Sequence, residues 1–186
     1  VKHFENYGPG AARNTGIEVV LDNFDVKFIS FIDTDCQVDS DWLTIHANNQ
    51  MISKGVYCGQ TIGLNNDIVS RYHDNMGTLN GRRIDKGLLY GPSCNMSISK
   101  DILIHFRFDE RFPNASFEDV ELCIRLIKNN IVPQYIKKAI IFHDYDNNIK
   151  GLYNQFYRYG KSHPLLLQIH PEYHEWYSVS EEIPVG

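Results

Sequence analysis

The feature that most constrains this 186-residue chain is the run Val26-Lys27-Phe28-Ile29-Ser30-Phe31-Ile32, which passes without a spacer into Asp33-Thr34-Asp35. Its β-branched and aromatic residues read as a buried strand, apolar enough to sit centrally in a sheet. In open α/β sheets the carboxyl ends of the strands are where ligands bind. Two carboxylates at that edge repel each other unless a cation or hydrogen-bond donors compensate them.

The triplet alone carries little information. With 14 Asp in the chain, random placement gives roughly one D-x-D, and three occur. Asp39-Ser40-Asp41 falls where a helix starts, so capping by Asp39 or Ser40 and the helix dipole account for it. Asp144-Tyr145-Asp146 falls in a polar turn. Two readings fit Asp33 and Asp35: a structural turn, or an oxygen site for a hard divalent ion shared with a phosphate group.

Around this strand the chain alternates. After Gly8-Pro9-Gly10 a helix is expected from about Ala11 to Leu21. Beyond the acidic turn comes a helix carrying Trp42, Leu43, Ile45 and Met51, then a strand from Val56 to Ile62. Between Asn65 and Lys86 the pattern fades into Asn, Asp, Gly and Arg, which reads as a surface excursion. A short strand at Met96-Ser97-Ile98, a small helix from Lys100, an irregular stretch from Phe108 to Ser116, a helix from Phe117 to Lys128 and an extended run from Pro133 to Phe142 follow. This alternation implies one α/β domain, a sheet covered by helices.

Composition narrows the function classes. An apolar content of 42% can build one core, and no apolar run approaches the length of a membrane span. A formal charge of −5 argues against a broad nucleic-acid binder. Cys36, Cys58, Cys94 and Cys123 form no paired motif, so reduced thiols in a cytosolic setting are expected.

The second acidic pair, Glu118-Asp119, also admits two readings. Ser116-x-x-Asp119 has the form of a capping box, and the dipole favours acids in a first turn. Val120, Cys123, Ile124 and Ile127 form a buried stripe, which makes the same helix start a rigid mount for a general base. His143 ends the apolar run Ala139-Ile140-Ile141-Phe142 and suits either packing or metal ligation. Arg13 suits either solvent or a phosphate or base.

Taken in order, Gly8 to Gly16, Phe31 to Asp35 with Trp42-Leu43, Gly91 to Ser97, Phe108 to Phe112, Phe117 to Leu126 and Tyr157-Arg158-Tyr159-Gly160-Lys161 resemble a family 2 glycosyltransferase of the GT-A fold over about residues 8–162. The resemblance implies an α/β, Rossmann-like domain with a mixed sheet flanked by helices. About residues 1–145 would form the catalytic core, and about 146–186 a C-terminal helical segment on the acceptor side. It implies that Asp33 and Asp35 contact the donor, with Asp35 and His143 on Mn2+ or Mg2+. Arg13, Gly91 and Asn95 would line the nucleotide-sugar site, Asp119 would be the base, and Glu118 would support it. The expected activity is inverting transfer from a nucleotide-sugar donor to a carbohydrate or lipid-linked acceptor, in polysaccharide or glycoconjugate synthesis. A lipid-linked acceptor would place the protein at a membrane periphery. The family's first strands have no counterpart ahead of Val1, so the fold is expected to be N-terminally incomplete, completed by a missing segment or a partner chain. A non-catalytic nucleotide- or sugar-binding module is the alternative.

Overall fold

The computed structural model describes residues 5–185. Along the chain run α1 (Pro9–Asn23), β1 (Phe28–Ile32), β2 (Cys36–Val38), α2 (Trp42–Ile52), β3 (Val56–Gly63), α3 (Ile68–Met76), β4 (Arg82–Ile84), β5 (Gly87–Tyr90), β6 (Asn95–Ser99), α4 (Lys100–His105), α5 (Glu118–Lys128), β7 (Gln134–His143), α6 (Ile149–Ile169), α7 (Tyr173–Ser178) and β8 (Glu181–Glu182). Five strands form a mixed sheet in the order β1-β6-β3-β7-β2, in which β3 and β7 are parallel and the other pairs antiparallel.

The acid-bearing strand is not central. Among the described residues β1 pairs with β6 alone, Phe31 turns inward, and Ile32 stays 42% exposed. The central place belongs to β3, whose residues 56–61 are all buried. Close approach of β7 explains the glycine there: a Cβ on Gly59 would lie 2.0 Å from the Ala139 carbonyl oxygen, and the ladder shifts register at Gly59/Gln60.

Local chemistry sets the helices. Gly8 adopts φ 90°, and a Cβ there would meet the Pro113 carbonyl oxygen at 2.6 Å, so glycine is required where α1 begins. Pro9 then occupies the first turn, where its missing N–H costs nothing. At α2 the N-cap position is Asp41 and makes no side-chain cap. Asp39 instead closes the preceding turn, its carboxylate accepting from Asp41 N–H at 3.2 Å and its carbonyl from Trp42 N–H at 3.1 Å.

The stretch from Asn65 to Lys86, expected as a surface excursion, contains α3 and β4. Asp67 caps α3 by accepting from Val69 N–H (2.8 Å) and Ser70 N–H (3.0 Å), and Asp74 accepts from Gly63 N–H (2.8 Å), which docks α3 on β3. A small second sheet, β5-β4-β8, brings the C-terminal stretch back onto the domain. Arg82 secures it through Ser180 and a cation–π contact with Tyr177 at 4.0 Å.

The core lies between the sheet and α5, with Met96, Ile98, Leu122, Cys123 and Leu126 fully buried. Glu121, also buried, accepts two hydrogen bonds from Arg125 Nε and Nη2 (2.7 Å each) and lies 3.2 Å from His170 Nε2, which ties α5 to the end of α6. The segment from about residue 146 is thus helical and joined to the core by buried polar contacts. No helix among the described residues is long and apolar enough to cross a membrane.

Candidate active site

Beyond Ile32 the chain turns sharply. Cys36 N–H donates to the Asp33 carbonyl (3.2 Å) and Asp144 N–H to the Asp35 carbonyl (2.8 Å), so the acidic turn is clamped to the end of β7. The turn forms one wall of a cavity of about 1220 Å³, also lined by Arg13, Glu118, Asp119 and His143. Six residues from four separate segments therefore meet as the sequence pattern suggested.

Arg13 holds two of those segments together. Its Nη2 donates to Asp33 Oδ1 at 2.7 Å and its Nη1 to Glu118 Oε1 at 2.9 Å, with the side chain only 12% exposed. Burial works against the guanidinium charge, but Asp33 and Glu118 outweigh it and raise the Arg13 pKa. The residue expected to touch nucleotide is therefore engaged in bracing carboxylates of the turn and of α5.

The capping-box reading of the second acidic pair is overturned. The N-cap of α5 is Phe117, with φ 66° and no side-chain cap, while Ser116 Oγ is bonded to Ser162 Oγ at 2.6 Å. A left-handed phenylalanine is a strained conformation of the kind that concentrates at functional sites. Asp119 Oδ2 accepts from Ser93 N–H (3.0 Å) and Ser93 Oγ–H (3.4 Å), and its Oδ1 accepts from Val120 N–H (2.8 Å). Glu118 Oε2 is buried without a hydrogen-bond partner among the described residues.

Electrostatics follow from this placement. Burial first, then the charge of Asp119, pushes the Glu118 pKa up to about 7 despite Arg13. Burial also raises that of Asp119, opposed by the Ser93 N–H and by Arg13. Both carboxyls are thus protonated more readily than free ones, chiefly because they are buried side by side.

At the other end of the cavity, His143 Nε2 lies 3.7 Å from Asp35 Oδ1, and Cys36 Sγ lies 3.7 Å from the same oxygen. One ligand atom from each of these three residues falls within 4.8 Å of the others, a spacing that can hold a metal ion. The His143 ring stacks on Tyr145 (4.4 Å between centroids), which stacks on His73 (4.1 Å). Burial lowers the His143 pKa, against Asp35 and Asp33, which keeps the neutral, ligating form.

Two expected donor-site residues do not reach the cavity. Asn95 is fully buried: its Nδ2 donates to the Gln60 and Ala139 carbonyls (3.0 and 2.9 Å), and its Oδ1 accepts from Trp42 Nε1 (2.8 Å). Gly91 packs against Cys58, whose Sγ would lie 2.2 Å from an added Cβ. The members of that loop that line the cavity are Pro92, Ser93 and Cys94. Sequence reasoning flagged the loop that holds Ser93 without singling that residue out, and passed over Cys36 and Tyr145; of these two only Cys36, adjacent to Asp35, offered a local signal.

The mixed sheet, the acidic turn at a strand end and the facing acidic helix start define a GT-A glycosyltransferase fold. The sequence matches the family described as glycosyl transferase family 2 over residues 1–107, more than half of its length, and the chain belongs to that family. The matched segment contains Asp33, Asp35 and Ser93, while Glu118, Asp119 and His143 lie beyond it. The pre-mycofactocin glycosyltransferases of two Mycobacterium tuberculosis strains, CDC 1551 and H37Rv, are each 27% identical to it over 190 residues, covering 91% of this chain. The chain spans 37% of the length of those relatives. The crystal structure of S. aureus TarS shares the fold, with a TM-score of 0.56 and 17% identity over 77% of this chain and 25% of that one.

Proposed function

We propose that this chain carries the donor site and catalytic carboxylates of a metal-dependent, inverting transfer from a nucleotide-sugar donor to an acceptor hydroxyl, serving polysaccharide or glycoconjugate synthesis. The observation that carries the reading is the double ion pair of Arg13, which places the acidic turn and the acidic helix start on one cavity. A structural turn and a helix cap would have no reason to share one cation that lies 20 residues from the first and 105 from the second.

Asp35 and His143 offer a carboxylate oxygen and a neutral imidazole nitrogen to the expected Mn2+ or Mg2+; the oxygen suits both ions and the nitrogen suits Mn2+ better. When bound, the ion offsets negative charge gathering on the departing diphosphate. Asp33, fixed by Arg13, faces the cavity as an acceptor for donor hydroxyls. Asp119 is held by Ser93 and by the first turn of α5, and takes the proton from the acceptor hydroxyl as that oxygen attacks the anomeric carbon. A single displacement inverts that carbon. Glu118 stores a proton beside the base. The acceptor, a carbohydrate or a lipid-linked one, approaches over α6, which contributes Asn154, Gln155, Arg158 and Tyr159 to the cavity.

A second assignment, with Glu118 as the base, is favoured by its unpartnered Oε2 and its pKa near neutrality. Paired variants separate the two. Asp119→Asn is expected to lower turnover by about 10²–10⁴-fold with donor affinity preserved, the range general-base catalysis supplies. Glu118→Gln is expected to cost less. The reverse ranking would assign the base to Glu118, and parallel loss of donor binding in both would count against a catalytic pair.

A further inference from the structure

We infer that Cys36 is a third ligand of the metal centre, so that Asp35, Cys36 and His143 form an O/S/N site that favours a borderline first-row ion such as Co2+ or Zn2+ over Mg2+. The inference rests on the reading of Asp35 and His143 as metal ligands and adds to it both a residue and a selectivity.

The sheet register builds the site. Cys36 stands directly opposite His143 in the antiparallel β2–β7 pair. Residues so opposed project from the same face with Cβ atoms about 4.5–5.5 Å apart. The turn through residues 33–35 then brings the Asp35 carboxylate beside both, at 3.7 Å from Cys36 Sγ and 3.7 Å from His143 Nε2.

Those separations discriminate between coordination geometries. With metal–sulfur bonds of about 2.3 Å and metal–nitrogen and metal–oxygen bonds of about 2.1 Å, tetrahedral angles put S···O near ~3.6 Å and N···O near ~3.4 Å. The right angles of an octahedral ion would contract the same pairs to about 3.1 and 3.0 Å. The two 3.7 Å spacings are wider than the right-angle values and at or slightly beyond the tetrahedral ones, and the third pair lies within 4.8 Å. Three protein ligands leave the fourth position open, the arrangement of sites that admit a substrate oxygen. Mg2+ demands near-octahedral oxygen ligation, whereas thiolate and imidazole suit later first-row ions.

Two neighbours keep the set in place. Cys36 packs against the buried cluster of Trp42, Cys94, Ala139 and Ile141, which fixes the strand that carries Sγ. The stack on Tyr145 fixes the plane of His143.

The test is Co2+ titration followed by absorption, alone and with each common nucleoside diphosphate. Thiolate ligation is expected to give a near-ultraviolet charge-transfer band, and four-coordination the intense visible bands of tetrahedral cobalt. Cys36→Ser, which exchanges one atom, and Cys36→Ala are both expected to lose the charge-transfer band. Their affinity is expected to fall by at least the roughly 10–100-fold that losing an outer-shell partner costs. Melting temperatures without metal, unchanged between wild type and Cys36→Ser, exclude misfolding as the cause. Co2+ bound without the charge-transfer band, or equally well by Cys36→Ser, overturns the role of Cys36 and leaves Asp35 and His143 as ligands. Co2+ that fails to bind the wild type under any of these conditions overturns both that role and the metal dependence.

Discussion

Arg13→Met removes the cation that joins the two acidic segments and keeps most of the apolar stem. Two arms are lost. The arm to Asp33 reaches a carboxylate side chain that is 40% exposed, so it is worth about 0–1 kcal/mol. The arm to Glu118 ends on a side chain only 5% exposed, and stripping the partner from a buried charge costs about 3–5 kcal/mol. The second cost depends on protonation. The folded pKa of Glu118 stands near 7, above its ordinary 4.5, so its contribution to stability is complete below 4.5 and is lost as pH rises through 7. Without Arg13, which opposes that rise, the folded pKa climbs further, at about 1.4 kcal/mol per unit. Because Glu118 can take up a proton once Arg13 is gone, the penalty stays below the about 3–5 kcal/mol of a fixed buried charge. The loss is expected to be larger near pH 8 than near pH 5 by at most about 1.4 kcal/mol, the one unit between pH 8 and the folded pKa. Urea unfolding at both pH values measures this. Arg13→Met/Glu118→Gln is expected to recover much of the loss near pH 8, because no uncompensated charge remains at 118. A penalty independent of pH, together with no recovery in the double variant, would refute the reasoning.

Two further outcomes follow from buried titrating groups. Under the assignment of Glu118 as base, turnover is expected to fall as pH drops through about 7, because Glu118 then gains a proton; a profile flat from about pH 5 to 8 would contradict that assignment. His73, 1% exposed with neither ring nitrogen bonded among the described residues, has its pKa pushed down to about 4, chiefly by burial and further by His143, against Asp67. Its stabilising effect is present above 6.5 and lost as pH falls through 4, so His73→Phe is expected to flatten the acid side of the stability curve by up to about 3 kcal/mol, read by urea unfolding.

The sequence revealed elements with conventional faces and concealed those without. α5 was legible because Val120, Cys123 and Ile124 repeat at helical spacing and are all buried. α3 was not, because its buried face is Val69, Ser70 and His73, while Ile68 stays 69% exposed. The inward side of that helix is largely polar, so hydrophobic periodicity points the wrong way. β1 looked central since its composition matches that of a two-sided strand, and composition does not reveal how many neighbours a strand has. In the site, residue types at strand and helix ends singled out Asp33, Asp35, Glu118, Asp119 and His143, and all five line one cavity. Side-chain partners were beyond reach: the bridging role of Arg13 and the burial of Asn95 depend on contacts between segments 20 to 105 residues apart.

The central claim is that the acidic turn holds a metal ion and a nucleoside diphosphate together. Melting temperatures of this chain and of Asp35→Asn, taken across the common nucleoside diphosphates with and without Mn2+, test it most directly, since a ligand that binds the native state raises the melting temperature. The expected result is an increase that requires both nucleotide and metal in the wild type and disappears in Asp35→Asn. A nucleotide effect that is indifferent to metal and survives in Asp35→Asn, or no effect from any combination, would contradict the account.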